Sequence, residues 1–499
     1  MSQSDVDHDV LIVGAGLSGI GMAAHMAAKC PGRSYAIVDQ RERIGGTWDL
    51  FRYPGVRSDS DMHTLGFVFE PWKHEKSIAD GPAILDYLDR IVDERGIRSH
   101  IHFGVRVLSA AFDSGTARWT VETQGRDGTP SRLVVRLLYL GSGYYDYDEP
   151  YEAGLQMEAF EGEVVHPQFW REDLDYSGKR VVVVGSGATA VTIVPSMADT
   201  AAKVTMLQRT PTWMFARPAK DGIANFLRRV LPEETAYRLT RWKNVKLGDW
   251  GFKRARAKPA KTAKLMHDRI AKALGPGYDK AAFTPPYNPW EQRVCLVPDD
   301  DLFRAMRAGK AEIVTDTIAA FEGGGIRLTS GRFLEADVIV TATGLKLAVA
   351  GKIAVSLDGE PVDFAQRFYY KGCMFSNLPN LAVVFGYLNA SWTLRSDLNA
   401  DYVCRVLNAM AERGADLAVP VLPDDHALEE ENVFDFSSGY LQRALHLMPK
   451  SATVWPWRLS QDYQLDRRRM AAPIEDGILQ LRAVATPYDQ PAGELERVD

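Results

Sequence analysis

Two glycine-rich turns, each set between a short apolar run and a helix-compatible stretch, restrict this chain more than any other feature. Residues 9–13, Asp-Val-Leu-Ile-Val, form an apolar run of the kind buried on both faces of a parallel sheet. Gly14-Ala-Gly16-Leu-Ser-Gly19 follows at once, then small residues over 20–29, then a second run over 35–38 that ends in Asp39. The order strand, turn, helix, strand, acid is that of a dinucleotide-binding βαβ unit. Gly14 makes the tight turn, Gly16 lets the backbone approach a pyrophosphate, and Gly19 permits close packing of helix on strand. The helix N-terminus faces the negative charge. Asp39 suits ribose hydroxyls and repels a 2′-phosphate.

The pattern then recurs. Residues 180–184 read as a strand, Gly185-Ser-Gly187-Ala188-Thr189-Ala190 as the turn, 191–197 as a helix and 203–207 as the next strand. Ala190 replaces the third glycine, and a methyl group still allows close packing. The strand ends in Gln208-Arg209-Thr210, with no acid, and a cation beside a hydroxyl suits the 2′-phosphate of NADP. The economical assignment is FAD at the first site and NADPH at the second. The expected fold class is α/β, with two Rossmann-like dinucleotide-binding domains. Residues 1–147 would form the first part of the FAD domain, 148–345 the NADP domain, and 346–499 the return to the FAD domain. No repeat other than the two βαβ units is present.

Length and charge bound the rest. A chain of 499 residues exceeds one compact core and predicts about three domain-sized units. A formal charge of −6 gives no attraction to polyanions, which argues against nucleic acid as a partner. Cys30, Cys295, Cys373 and Cys404 form no CxxC pair, so neither a redox dithiol nor a zinc site of ordinary spacing is expected. Those scattered cysteines and a start lacking a signal-peptide pattern predict a cytoplasmic protein. Residues 10–28 carry no charge and are long enough to imitate a membrane span, but the glycines at 14, 16, 19 and 21 fit a phosphate-binding turn better.

Between residues 217 and 272 the composition shifts to 16 Lys and Arg against 5 Asp and Glu, with aromatic and aliphatic residues interspersed. This predicts a helical insertion over about 217–290. Its plain reading is a solvated basic face, and its sharper reading is a patch that rests peripherally on an anionic membrane. Residues 144–151, rich in Tyr, Asp and Pro, read as a linker, and 475–499 as a polar tail.

Residues 160–170 read Phe-Glu-Gly-Glu-Val-Val-His-Pro-Gln-Phe-Trp and lie between the two turns. The spacing Phe160-x-Gly162-x3-His166-x3-Trp170 resembles the fingerprint of the Baeyer–Villiger monooxygenases, flavoenzymes that insert an oxygen atom beside a ketone carbonyl. Gly45-Gly46-Thr47-Trp48 and Arg52-Tyr-Pro54-Gly55-Val-Arg-Ser-Asp59 resemble the flavin-contacting segment of that group. Residues 288–293, Asn-Pro-Trp-Glu-Gln-Arg, resemble the segment supplying the active-site arginine in its ethionamide-activating branch. Residues 389–395, containing Trp392, resemble its pocket-lining segment. One departure is Arg171, where many members have Pro or Asp.

The resemblance implies an NADPH- and O2-dependent enzyme that acts on ketones through a C4a-peroxyflavin, with Arg293 and Asp59 as the catalytic pair. The fixed charge of Arg293 would stabilise anionic oxygen and favour ketone attack, and a protonated peroxide would instead oxidise sulfur or nitrogen. A small ketone or thioether is therefore the expected partner, and a flavin S- or N-oxygenase is the alternative. Residues 160–170 are expected to act as a hinge, with His166 and Trp170 coupling the two domains. His166 has no neighbouring ligand for a metal site, and Trp392 serves equally as core or as pocket wall. The sequence specifies no oligomeric state.

Overall fold

The computed structural model describes residues 6–433 and 436–484. The polar tail read over 475–499 lies outside the described residues from 485 onward. Both glycine turns fall where two parallel strands and a helix meet. Strand β1 (His8–Val13) lies between β2 (Tyr35–Asp39) and β3 (Pro130–Leu140), parallel to both, and helix α1 (Leu17–Lys29) crosses between β1 and β2. The apolar run is continuous because both faces are covered. Val10 and Ile12 pack with Ala23, Ile37 and Val403 on one side, and Leu11 and Val13 pack with Val38, Trp119 and Leu138 on the other. Each such side chain contributes about 1.5–3 kcal/mol when fully buried.

Antiparallel strands Val105–Asp113 and Arg118–Gly125 extend this sheet beyond β3. The chain comes back to it late, with Leu381–Val383 pairing parallel to β3 in the register Leu381 to Leu138. Helix α6 (Trp392–Arg413) then packs on α1, and Gly414 in the left-handed region ends it.

The second sheet has five strands, all parallel. Its order is Ala311–Thr315, β6 (Lys203–Gln208), β5 (Arg180–Val184), β7 (Val338–Thr341) and β4 (Glu163–Val165). Helix α2 (Ala188–Ala198) follows β5. Val181 and Val183 face one core cluster, Val182 and Val184 the other. The architecture is thus two Rossmann-like units with a helical insertion. The insertion comprises α3 (Gly222–Val230), α4 (Glu233–Ala257) and α5 (Pro259–Leu274). It is not wholly a solvated basic face, because Arg241 on α4 is 7% exposed. Its guanidinium donates to the His63 carbonyl at 2.9 Å and the Gly66 carbonyl at 2.7 Å, tying the insertion to the first unit.

Two stretches differ from the sequence reading. Residues 144–151 do connect the two units without a helix or strand, but as a packed segment: Tyr144 is 6% exposed, and Tyr145 bridges to Leu347. Residues 160–170 are held within the second unit, since β4 is the outer strand of its sheet. Phe160 is buried among Val182, Leu207 and Ile326, and a Cβ at Gly162 would lie 2.4 Å from the Phe160 ring and 2.5 Å from the Asp337 carbonyl oxygen. Residues 10–28 form a strand, a turn and a helix, and no described helix is long and apolar enough to cross a membrane.

Candidate active site between two nucleotide turns

Parallel strands leave their C-terminal ends facing the same way, and the turns that follow β1 and β5 at those ends line one crevice. That crevice is a continuous cavity of about 1660 Å³. A single small-molecule site typically occupies about 300–1,000 Å³, so the volume suits two dinucleotides and a substrate. Gly14, Gly16, Asp39, Gly46, Thr47, Trp48 and Asp59 line it from the first unit. Gly185, Gly187, Ala188, Thr189, Arg209 and Thr210 line it from the second, and His166, Arg293 and Trp392 complete it. Gly19, Phe160, Gly162 and Trp170 do not reach it.

Each glycine of the first turn has its own reason. Gly14 has φ +103°, and a Cβ there would lie 2.7 Å from the Gly141 carbonyl oxygen. A Cβ at Gly19 would lie 1.8 Å from the Gly14 carbonyl oxygen, so close helix packing requires its absence. Gly16 faces Gly46, whose own Cβ would lie 3.1 Å from the Gly16 Cα. The two loops therefore meet as bare backbone and form a floor on which a pyrophosphate and a flat ring can rest. Asp39 is 8% exposed and accepts from the Ala15 N–H at 2.7 Å and the Arg41 N–H at 2.8 Å. Burial raises its pKa above the usual carboxylate value, and the two backbone donors work against that rise.

The second turn is more open. Gly185 has φ +140°, and a Cβ there would lie 2.2 Å from the Ala342 carbonyl oxygen. Gly187 has nothing within 4 Å of the Cβ position, which leaves room for a phosphate. Ser186 Oγ donates to the Thr210 carbonyl at 2.8 Å and so ties the turn to the end of β6. Arg209 beside it is exposed at the rim. A rim cation without an acid on its strand end fits a 2′-phosphate.

Arg293 sits on the loop that enters strand Cys295–Pro298 and reaches toward the first unit. Its Nε donates to the Leu388 carbonyl at 3.1 Å, and its Nη1 stands 3.7 Å from Asp59 Oδ2. That separation is an ion pair without a hydrogen bond. Burial opposes the guanidinium charge and Asp59 favours it, and the arginine, which starts far above neutrality, stays charged. Burial in turn pushes the phenols of Tyr144, Tyr145 and Tyr440 up, so all three stay protonated around the cation.

Trp392 is both core and wall. Its ring stacks on Tyr144 at 5.1 Å with 7° between planes, its Nε1 donates to Ser18 Oγ at 2.8 Å, and it packs against both core clusters of the first unit. His166 turns from β4 into the cavity. Its Nδ1 accepts from the Gln168 N–H at 3.1 Å, which places the proton on Nε2, and Nε2 is buried without a partner. Burial lowers the His166 pKa. Ser142 Oγ and Asn389 Oδ1, on two other wall residues, are likewise buried and unpartnered. Three orphaned polar atoms around one crevice fit a polar cofactor that supplies their partners.

The sequence reading missed several residues here. Tyr144, Tyr145 and Tyr147 come from the supposed linker, and Thr47 Oγ1 lies 3.0 Å from the Tyr147 hydroxyl, whose pKa burial pushes up to about 12. The signal was an aromatic run directly after Gly141-Ser-Gly143. Tyr440 carried no local signal. Gly55, within the segment that resembles a flavin-contacting one, does not line the cavity, and a Cβ there would strike Ser196 of α2 at 1.8 Å. Trp170 packs on the core of the second unit, and the link to the first unit is made by Gln168, whose Nε2 donates to the Asp146 carbonyl at 2.7 Å.

Comparison with known proteins accords with this geometry. Residues 74–256 match the flavin-binding monooxygenase-like family model, and residues 12–77 match the NAD(P)-binding Rossmann-like domain. The FAD-containing monooxygenase EthA of Mycobacterium tuberculosis is 50% identical over 463 residues, covering 92% of this chain and 94% of EthA. The probable FAD-binding monooxygenase AlmA of Acinetobacter baylyi is 44% identical over 474 residues, covering 94% and 95%. A solved steroid monooxygenase bound to NADP superposes with a TM-score of 0.77 at 22% identity, covering 95% of this chain and 99% of its own, a likeness that concerns the fold. The names of the two sequence relatives say monooxygenase and mention no ketone, so the ketone-to-ester reaction expected from the sequence is not carried by them. The chain belongs to the flavin monooxygenases of the Baeyer–Villiger and flavin-monooxygenase-like superfamily, as an NADPH-dependent flavoprotein closely related to EthA.

Proposed function

We propose that this monooxygenase transfers oxygen to an electron-rich sulfur or nitrogen of a small organic substrate, and that Arg293 extends the same site to ketones. The observation that carries the reading is the Arg293–Asp59 pair at 3.7 Å in the wall of the shared cavity. Bound FAD, reduced by NADPH, supplies one oxygen atom of O2 and releases the other as water. Sulfur and nitrogen attack oxygen with their own lone pair and need no fixed charge beside them. A guanidinium partnered by Asp59 leaves the site close to neutral overall, which suits that attack.

Ketone insertion asks for more. Negative charge must collect on the carbonyl oxygen, and a preorganised cation there is worth about 100- to 1,000-fold in rate. Because Nη1 is not hydrogen-bonded to Asp59, the guanidinium can turn to that oxygen without breaking a short contact. Trp392 and Tyr144 bound the space in which the substrate would lie.

Product analysis with one thioether and a panel of linear, cyclic and aryl ketones tests this. The wild-type chain should form sulfoxide, and Arg293→Ala should keep FAD and sulfoxide formation while losing ester by at least about 100-fold. Absence of sulfoxide from the wild type sinks the main reading. Ester formation by Arg293→Ala at the wild-type rate sinks the role of the arginine.

A further inference from the structure

The insertion carries two apolar faces where a solvated basic helix pair needs one. Its inward face is already packed, through Ala236, Tyr237 and Ala255 on α4 and Met266, Ile270 and Leu274 on α5. Yet of the fourteen large hydrophobic side chains exposed among the described residues, eight lie on α3, α4 and α5. Ile223, Phe226 and Val230 recur along α3 at the i, i+3, i+7 spacing of one helical face, at 56%, 61% and 55% exposure. On α4, Trp242 and Trp250 are each 60% exposed. Interleaved with them are Arg229, Arg238, Lys246 and Lys261, exposed and without an ion pair among the described residues.

We propose that this face docks on an anionic lipid surface and that the cavity takes its substrate from the bilayer. Aromatic and aliphatic side chains mixed with unpaired Lys and Arg are the composition of an interfacial membrane helix. A protein partner fits less well, because lysine is depleted from protein interface cores. A second copy fits worst, since a twofold contact would set one basic face against another. The charge is local: 16 Lys and Arg against 5 Asp and Glu over residues 217–272, in a chain of net −6, so the rest of the molecule is acidic and an anionic surface orients it with the insertion inward.

The position of the face gives it a function. Trp250 and Leu265 belong both to the exposed apolar set and to the cavity lining. The cavity mouth therefore opens on the docking face, and an apolar substrate dissolved in lipid enters without crossing water. The delivery step rests on the monooxygenase reading above, whereas the docking does not.

Co-sedimentation of the FAD-loaded enzyme with vesicles of phosphatidylcholine, alone or mixed with phosphatidylglycerol, decides the docking. The wild type should bind the mixed vesicles about tenfold or more above the neutral ones and be released by salt. The pairs Phe226→Ser with Trp242→Ser, and Arg229→Glu with Lys246→Glu, should each lower that binding by about tenfold or more while keeping the wild-type melting temperature. No preference for anionic vesicles, or wild-type binding by either pair, overturns the proposal. A fall from dimer to monomer in these variants with vesicle binding unchanged assigns the face to self-association and overturns it equally. For delivery, the Phe226→Ser/Trp242→Ser enzyme should oxidise a water-soluble thioether at the wild-type rate and a long-chain thioether held in the mixed vesicles about tenfold more slowly. Equal loss on both substrates overturns delivery, and a wild type inactive on both overturns the monooxygenase substrate reading while the sedimentation result stands.

Discussion

Gly55 of the first nucleotide unit fits against Ser196 of the second so closely that a Cβ would lie 1.8 Å from the serine Oγ. Gly55 also has φ +75°, so its backbone favours glycine independently of the contact. One residue thus joins the segment over 52–59 to α2, the helix that follows the second glycine turn.

Substitution at this joint should cost both terms. Gly55→Ala is expected to lose about 1–3 kcal/mol from the left-handed backbone, and more from the clash. Adding Ser196→Gly should restore the part due to the clash and leave the backbone part. Thermal unfolding of the single and double variants measures the split, and strict additivity would show that the contact is not formed in solution.

The second turn gives a contrast between neighbouring glycines. Gly185→Ala forces a Cβ to 2.2 Å from the Ala342 carbonyl and should destabilise the fold. Gly187→Ala meets nothing within 4 Å, so its melting temperature should stay at the wild-type value while NADPH binding weakens. Equal melting losses in the two variants would contradict this geometry.

Arg209 at the rim is expected to set cofactor choice. A charge-assisted hydrogen bond to a phosphate is worth about 1.5–3 kcal/mol, so Arg209→Ala should raise the KM for NADPH about tenfold to a hundredfold and leave that for NADH unchanged. Steady-state rates with both cofactors are the measurement. A parallel rise for NADH places the effect elsewhere than the 2′-phosphate.

His166 gives a pH signature. Burial lowers its pKa below the ordinary 6.5, so the folded chain keeps it neutral while the unfolded chain protonates it. The stability it contributes is present above that ordinary value and is lost as pH falls through the lowered folded value. His166→Gln should therefore show a shallower loss of melting temperature between about pH 7 and pH 5 than the wild type. FAD content should be unchanged, and flavin reduction by NADPH should slow. A variant with the wild-type pH slope removes His166 from this account.

Much of the site was legible in local sequence because phosphate-binding turns are built from consecutive residues. Gly14, Gly16, Gly19, Gly185 and Gly187 fall in the two strand-to-helix turns that their spacing implies, Asp39 ends β2 and Arg209 directly follows β6. Residues 160–170 were legible only as a pattern. Their glycine serves the Phe160 ring and the Asp337 carbonyl, and the strand pairing that fixes them to the second sheet involves residues more than 170 positions later.

What the sequence by itself determined is the pair of nucleotide units, since these depend on backbone conformation within about thirty residues. Only the tertiary structure decided that the two turns share one cavity, that Arg293 meets Asp59 across it, and that Tyr144 to Tyr147 form a wall as well as a linker. It also showed where the insertion exposes its apolar side chains, which composition alone, read first as a solvated basic face, did not locate. The physical reason is common to all four. A contact between residues distant in sequence depends on how sheets and helices pack, and side-chain exposure is a property of that packing alone.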